Sequence, residues 1–375
     1  MKKTALLFLL AIIIQYKVSS QSCLPDGINL TTQSMIDNFV ANYPSCNIIE
    51  GNVIIAGEDI TNLNGLNSLT GIEGDLQIYW NPTLTSISGL SNLTYVGGFV
   101  EITENALLTN FNGLNSLVTI DGYLDVELND QLSNIEGFAS LTTINGDLQF
   151  ILNENLENLN GLSNLASIGG FLVIYDNNSL TSLSGLNNVS STVTDINIYG
   201  NDLLTDITSL HNINSISSSL KISNNYALNN LLGIESINLN QLQHLEIKNN
   251  TLLSECETQN ICNYLSDSIG TVYIVNNAVG CNSQYEVQLA CLSGVSIFDL
   301  STRPIIFPNP TKDILSIDCS GNQITEIRIF TQIGSEIIYS NSNFKNIDVS
   351  SLKPGIYIIE INLDNTKIRE KLIKE

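Results

Sequence analysis

Three carboxylates, Glu101, Asp125 and Glu127, fall where they could act together. Glu101 and Asp125 are 24 residues apart, and Glu127 follows two residues on. If 24 residues make one turn of a β structure, the first two stand on neighbouring strands, about 4.8 Å apart. That is close to the roughly 5 Å between the nucleophile and the acid of retaining glycosidases. The same oxygens could hold calcium or form a solvated acidic face, and solvation is the plainest account. No other pattern favours an enzyme. The two histidines, His211 and His244, occupy different positions of the repeat, and GxSxG, HExxH and Cys/His arrangements are missing. A lyase needs a basic proton acceptor, yet residues 21–302 hold no arginine and only Lys221 and Lys248. The chain therefore reads as non-enzymatic, with a surface glycoside hydrolase as the alternative.

Aromatic residues recur at fixed offsets from a repeating glycine. Phe99, Tyr123 and Phe171 lie one place after it, Tyr79, Tyr175 and Tyr199 five places after, and Trp80 adjoins Tyr79. Alternation along a strand turns all of these outward. Flat rings beside carboxylates and amides suit sugar stacking or a protein hot spot, although stacked rings also stabilise adjacent turns. The expected ligand is a glycan or a surface protein.

Cysteines fall in two groups, Cys23 with Cys46, then Cys256, Cys262, Cys281 and Cys291, with Cys319 alone. In an exported chain the first six suggest one bridge in an N-terminal cap and two in a C-terminal cap. Zinc is the rival for the group of four, though it has no CxxC. Cys319 alternates with Leu315 and Ile317 and reads as a buried thiol.

The positioning element is the repeat itself. Its anchors are Gly51, Gly74, Gly98, Gly122, Gly146, Gly170, Thr194, Ser218, Gln243 and Gly270, and six of the nine steps are 24 residues. One unit, GDLQFILNENLENLNGLSNLASIG from Gly146, alternates at Leu148 and Phe150 and then places Leu156, Leu159, Leu162, Leu165 and Ile168 three residues apart. The alternation predicts a short strand. The steps of three, with Ser, Asn and Gly between them, predict an extended or irregular return path. Seven inward positions per turn imply a coil stacked on its neighbours, since one turn alone cannot offset the entropy of ordering it.

Seven places after the anchor stands an asparagine in nine of ten turns, Asn81, Asn105, Asn129, Asn153, Asn177, Asn201, Asn225, Asn250 and Asn277, with Glu58 in the first. An amide both donates and accepts, so this ladder can satisfy a buried corner. Gly89, Gly113, Gly137, Gly161, Gly185 and Gly233 are expected to take positive φ at another corner. Before the first turn, Met35, Ile36, Phe39 and Val40 fall on one helical face that Pro44 ends, which suits a cap.

Charge and composition set the context. At 375 residues and 43% apolar, the chain can bury a large core. Residues 21–302 carry 28 acidic side chains against two basic ones, a net −26, while nine of each balance from Arg303 onward. Such a surface repels nucleic acid and anionic lipid. Lys2 and Lys3, the apolar run Thr4–Ile14, and Val18 and Ser20 before Gln21 read as a cleaved signal peptide over 1–20. No later run approaches the roughly 20 apolar residues of a membrane-spanning helix.

The motif LxIxxN at Leu76, Ile78 and Asn81, repeated every 24 residues with GLxxL as at Gly89 to Leu93, resembles the leucine-rich and receptor L-domain β-helix family. The next leucine comes three places after the asparagine, where leucine-rich repeats usually have two, so the L-domain branch fits better. The resemblance covers Cys23 to Cys291. It implies a surface that binds proteins or glycans, with no catalytic residues to carry over. Pro308, Asn309 and Pro310 open a segment of short alternating strands, ILSID, EIRIF, EIIYS and GIYIIEI, and from Phe307 onward it holds the elements FPNPTKDIL, EIRIFTQIGSEI, IDVSSLKPGIYIIEI and KIREKLIKE. In that order they resemble the C-terminal sorting domain of type IX secretion over Ile305 to Glu375. That resemblance implies engagement of the type IX machinery by residues 305–375, outer-membrane translocation, later removal of the domain, and a Gram-negative source.

The expected fold is mostly all-β: a right-handed β-helix or leucine-rich solenoid of about ten turns with a short helical cap, then a small Ig-like β-sandwich. The expected division is a signal peptide at 1–20, a cap at 21–50, the solenoid with its Cys-rich end at 51–291, a linker at 292–304 and the sorting domain at 305–375. No cofactor is expected apart from the calcium alternative. The destination is the cell surface or beyond.

Overall fold

The computed structural model describes residues 21–267, 270–293, 305–318, 324–331, 335–363 and 367–375. The expected signal peptide at 1–20, most of the expected linker and Cys319 lie outside them.

Alternation in each unit produces a short strand with two side chains inward. Leu124–Glu127, Leu148–Ile151 and Leu172–Tyr175 bury their first and third residues and turn the second and fourth outward. They pair in parallel with a shift of one repeat, Leu124 opposite Leu148 and Leu148 opposite Leu172. The pairing continues through an 11-stranded parallel sheet from Ile28–Leu30 to Thr271–Val275. All seven inward side chains of the unit, from Leu148 to Ile168, are fully buried. The body is thus mostly β, parallel and solenoid-like.

The return path is more regular than the steps of three predict. A second parallel sheet of seven strands runs beside the first. Most of its members have only two residues, such as Thr119–Ile120, Thr143–Ile144 and Ser167–Ile168. Between the sheets the GLxxL segments close into single 3-10 turns, as at Ser88–Leu90 and Asn160–Leu162. Neither element needs intrinsic propensity, because hydrogen bonding to the next turn and the inward Leu and Ile side chains hold it.

The asparagines form a continuous internal ladder. Asn153 Nδ2 donates to the carbonyls of Val126 at 2.9 Å and Ile151 at 3.0 Å, while its Oδ1 accepts the backbone N–H of Asn129 at 3.2 Å. The same set recurs at Asn129, Asn177, Asn201 and Asn225, while Asn105 keeps the two carbonyl bonds and its Oδ1 accepts from Asn81 Nδ2. The residue before each asparagine is left-handed. Trp80, Glu104, Leu128, Leu152 and Asp176 have φ between 52° and 54°, a conformation that disfavours L side chains by about 1–2 kcal/mol.

The expectation for the other glycines is only half met. Gly113, Gly185 and Gly233 take positive φ, whereas Gly89, Gly137 and Gly161 do not. What these glycines share is crowding. A β-carbon on Gly89, Gly137 or Gly161 would lie 1.6, 1.9 or 1.8 Å from a carbonyl oxygen of the preceding turn.

The N-terminal cap differs from one helix. It forms two short helices, Gln33–Asp37 and Phe39–Asn42, with Thr32 capping the first through its hydroxyl. Ile36 and Phe39 are buried, but Met35 and Val40 are exposed, since the break at Asn38 rotates them off the covered face. Cys23 bonds Cys46 at this end. At the other end Cys256 bonds Cys281 and Cys262 bonds Cys291, beside the helices Gln259–Asp267 and Gln284–Ser293. That pairing takes up the four sulfurs the zinc alternative would have used. Each bridge closes a loop of 23 to 29 residues, worth about 3 kcal/mol by loop entropy.

The described residues of 305–375 form two antiparallel sheets. One contains Ile305–Phe307, Ile314–Asp318 and Ile347–Asp348; the other orders Glu336–Ser340, Ile324–Thr331, Gly355–Leu363 and Lys367–Lys374. Leu315 and Ile317 from the first share a core with Ile327, Ile329, Ile359 and Ile361 from the second. Buried Glu360 is held by Arg369, with Nη2 at 2.8 Å.

Candidate binding face

Outward positions of the 11-stranded sheet line up in columns, because every strand pairs one repeat on. Phe99 and Tyr123 stack with centroids 4.4 Å apart and planes 5° from parallel. Tyr175 and Tyr199 stack at 4.9 Å and 10°. The spacing is that of adjacent strands, so the sheet itself places the rings face over face. Tyr79, Trp80 and Phe171 form no stacked pair among the described residues. Tyr79 faces Thr103 across the strands; Trp80 sits in the left-handed corner with 51% of its surface exposed, and Phe171 is 40% exposed.

Glu101 and Asp125 occupy the column between the rings, and Glu127 stands in the tyrosine column between Thr103 and Ile151. Asp125 pairs in register with Glu101. Gln77 donates to Glu101 Oε2 at 2.8 Å, and Thr103 donates to Oε1 at 3.4 Å. Asp125 is partly buried, and its Oδ1 has no hydrogen-bond partner among the described residues. Burial, then the charges of Glu127 and Glu101, push its carboxyl up to about 6. Glu127 is raised by burial and by Glu104 and Glu101. Among the described residues no group of three or more His, Cys, Asp or Glu side chains is arranged to hold a metal ion.

A raised carboxyl means that ionising Asp125 opposes folding. The penalty is present above about pH 6 and disappears as pH falls through the unfolded value near 3.8. Asp125→Asn should therefore raise the melting temperature at pH 7.5 by a few degrees, on the order of 1 kcal/mol after allowance for solvent screening. Below about pH 4 the gain should vanish. Scanning fluorimetry at both pH values checks this, and a lowered midpoint at pH 7.5 would contradict it.

Tyr175 adds a detail that the spacing does not reveal. The charge of the neighbouring Asp176, then burial and Tyr199, raise its phenol. Tyr273 also escaped sequence reading, although it lies three places after Gly270 and is 58% exposed. Its signal was the outward column it shares with Glu101 and Asp125.

The structure thus defines a mostly β protein of parallel stacked turns with an aromatic and acidic outer face. Among family models, the receptor L domain matches residues 45–109, and the secretion system C-terminal sorting domain matches residues 305–375. No curated protein matches the chain. The sorting domain marks the protein for secretion to the cell surface or beyond through the type IX system, and the L-domain likeness suggests binding. No helix among the described residues is long and apolar enough to cross a membrane.

Proposed function

We propose that the protein works in adhesion or glycan capture at the cell surface, holding a sugar chain on the strand face. The observation that carries this reading is the pair of ring stacks, Phe99 with Tyr123 and Tyr175 with Tyr199, on consecutive turns of one rigid sheet. A stacked pair offers its exposed edges and faces to the apolar C–H faces of sugar rings. Gln77, Gln149 and Asn197 in the column between are suited to hydroxyl groups. In this reading the leader at 1–20 is removed, 21–50 caps a solenoid of about ten turns over 51–291, 292–304 is a linker, and an Ig-like sandwich at 305–375 is the address.

A glycan and surface-protein array with the full-length chain, with and without calcium, tests the reading. Tyr175→Ala and Tyr199→Ala should each weaken the captured ligand about tenfold, the effect of losing one aromatic anchor. A surface protein captured in place of any glycan would reassign the face to a protein partner, and a blank array would favour a structural surface role. The raised Asp125 beside Glu101 supports one second reading, a polysaccharide hydrolase. Reducing sugar released in the same incubations would favour it.

A further inference from the structure

Cations are scarce on residues 21–302, with two lysines against 28 acidic side chains. Both lysines, and one of the chain's two histidines, nevertheless gather on neighbouring strands of the binding face. Lys221 pairs in register with Asn197 on one side and Glu246 on the other. His244 and Lys248 flank Glu246 two residues away on the same strand, and Tyr273 follows Glu246 in the next. Ser223 stands between Tyr199 and Lys248 in their column, so the cluster begins one strand beyond the Tyr175 and Tyr199 stack.

Glu246 organises the cluster without using it up. Lys248 Nζ lies 2.9 Å from Glu246 Oε1, Ser223 donates to the same oxygen at 2.9 Å, and His244 Nε2 is 3.7 Å from Oε2. Burial works against the Glu246 charge, but these partners together hold its carboxyl below the ordinary range. His244 Nδ1 is 2.6 Å from Thr271 Oγ1, which fixes the ring. Structural need accounts for Lys248 as the partner of Glu246. It does not account for Lys221, whose ammonium makes no ion pair or hydrogen bond among the described residues. An ammonium carries three donors, so Lys248 also keeps capacity beyond its bond to Glu246.

We propose that Lys221, Lys248 and His244 form an anion subsite at the end of the tyrosine platform, receiving the carboxylate or sulfate of an acidic sugar whose neighbouring ring stacks on Tyr175 and Tyr199. The proposal rests on the glycan reading above and narrows it to acidic glycans. The surrounding field sharpens the choice. A net −26 repels a densely charged polyanion, whereas an isolated anionic group delivered by a stacked neutral ring meets the ammonium groups at close range, where a charge-assisted bond is strongest.

The test is titration calorimetry with the full-length chain against otherwise neutral oligosaccharides of equal length that carry a single uronate, its methyl ester, a single sulfate, or no charge. The wild-type chain should bind the single-uronate or single-sulfate sugar about tenfold tighter than its uncharged counterpart, as one hydrogen bond between charged groups predicts. Which of the two is preferred names the anion. That ratio should fall towards one in the Lys221→Gln, Lys248→Gln double variant and persist in Lys221→Arg, Lys248→Arg, which keeps the charge. Tyr175→Ala should weaken charged and uncharged ligands alike and leave the ratio unchanged. Equal affinity of the wild type for charged and uncharged sugars would overturn the subsite and leave the glycan reading intact. Binding to none of them would overturn both.

Discussion

Asn153→Leu should lower the melting temperature by about 10 °C, which is the cost of one broken rung in the internal ladder. The substitution keeps the side chain's approximate size and removes every polar atom from a fully buried corner. The N–H of Asn129 loses its acceptor, and the carbonyls of Val126 and Ile151 each lose a donor. At about 1–3 kcal/mol for each buried group left unsatisfied, the loss is roughly 4 kcal/mol. A domain of this size shifts by about 2–4 °C per kcal/mol. Asn155→Leu is the internal comparison. Its amide donates to the Asp130 carbonyl at the surface, where water replaces it, so its midpoint should move by no more than about a degree or two. Equal shifts in the two variants, read by circular dichroism, would mean that the corner is hydrated.

The ladder was legible because the residue type carries its own mechanism: an asparagine every 24 residues beside an apolar column has few other uses. The inward Leu and Ile positions were legible for the same reason, as a period of two followed by steps of three. What escaped depends on neighbours. Thr119–Ile120 and Thr143–Ile144 are too short to alternate, and become strands only because the next turn lies in hydrogen-bonding register. The left-handed corner is filled by residues as different as Trp80, Glu104, Leu128 and Asp176, so composition does not mark it. The ladder at the following residue holds the backbone there. In the binding face, the two stacks follow from the 24-residue spacing, while Phe171 stands apart because its strand neighbours in that column are Asp147 and Asp195. Lys221 and Lys248 are 27 residues apart in the sequence. They become one cluster only when the longer step from Ser218 to Gln243 is laid in register.

The glycine column supports a second large effect, and one turn supplies its own control. Gly161→Ala should destabilise the protein by about 3 kcal/mol or more, above the usual range for overpacking because the obstacle is backbone. The added β-carbon would lie 1.8 Å from the Ile135 carbonyl oxygen and 2.4 Å from its carbon. No rotamer relieves that contact, since neither atom belongs to a flexible side chain. Relief requires the two turns to part, yet the strands on either side hold them at a spacing of about 4.8 Å. The chain does accept a β-carbon at the equivalent place one turn beyond Gly185, where Ser209 is buried and its hydroxyl donates to Asn187 at 3.3 Å. The stack is irregular there, with a register shift between Val193 and Asp195 in the pairing of Thr192–Tyr199 with Ser215–Ser223. Ser209→Ala keeps the β-carbon and loses one weak hydrogen bond, so it should cost about 1 kcal/mol. A midpoint for Gly161→Ala near that of Ser209→Ala would show that any turn can open as the Ser209 turn does. A much lower one would locate the tolerance in the local irregularity, and would make the glycines the residues that fix how closely the turns stack.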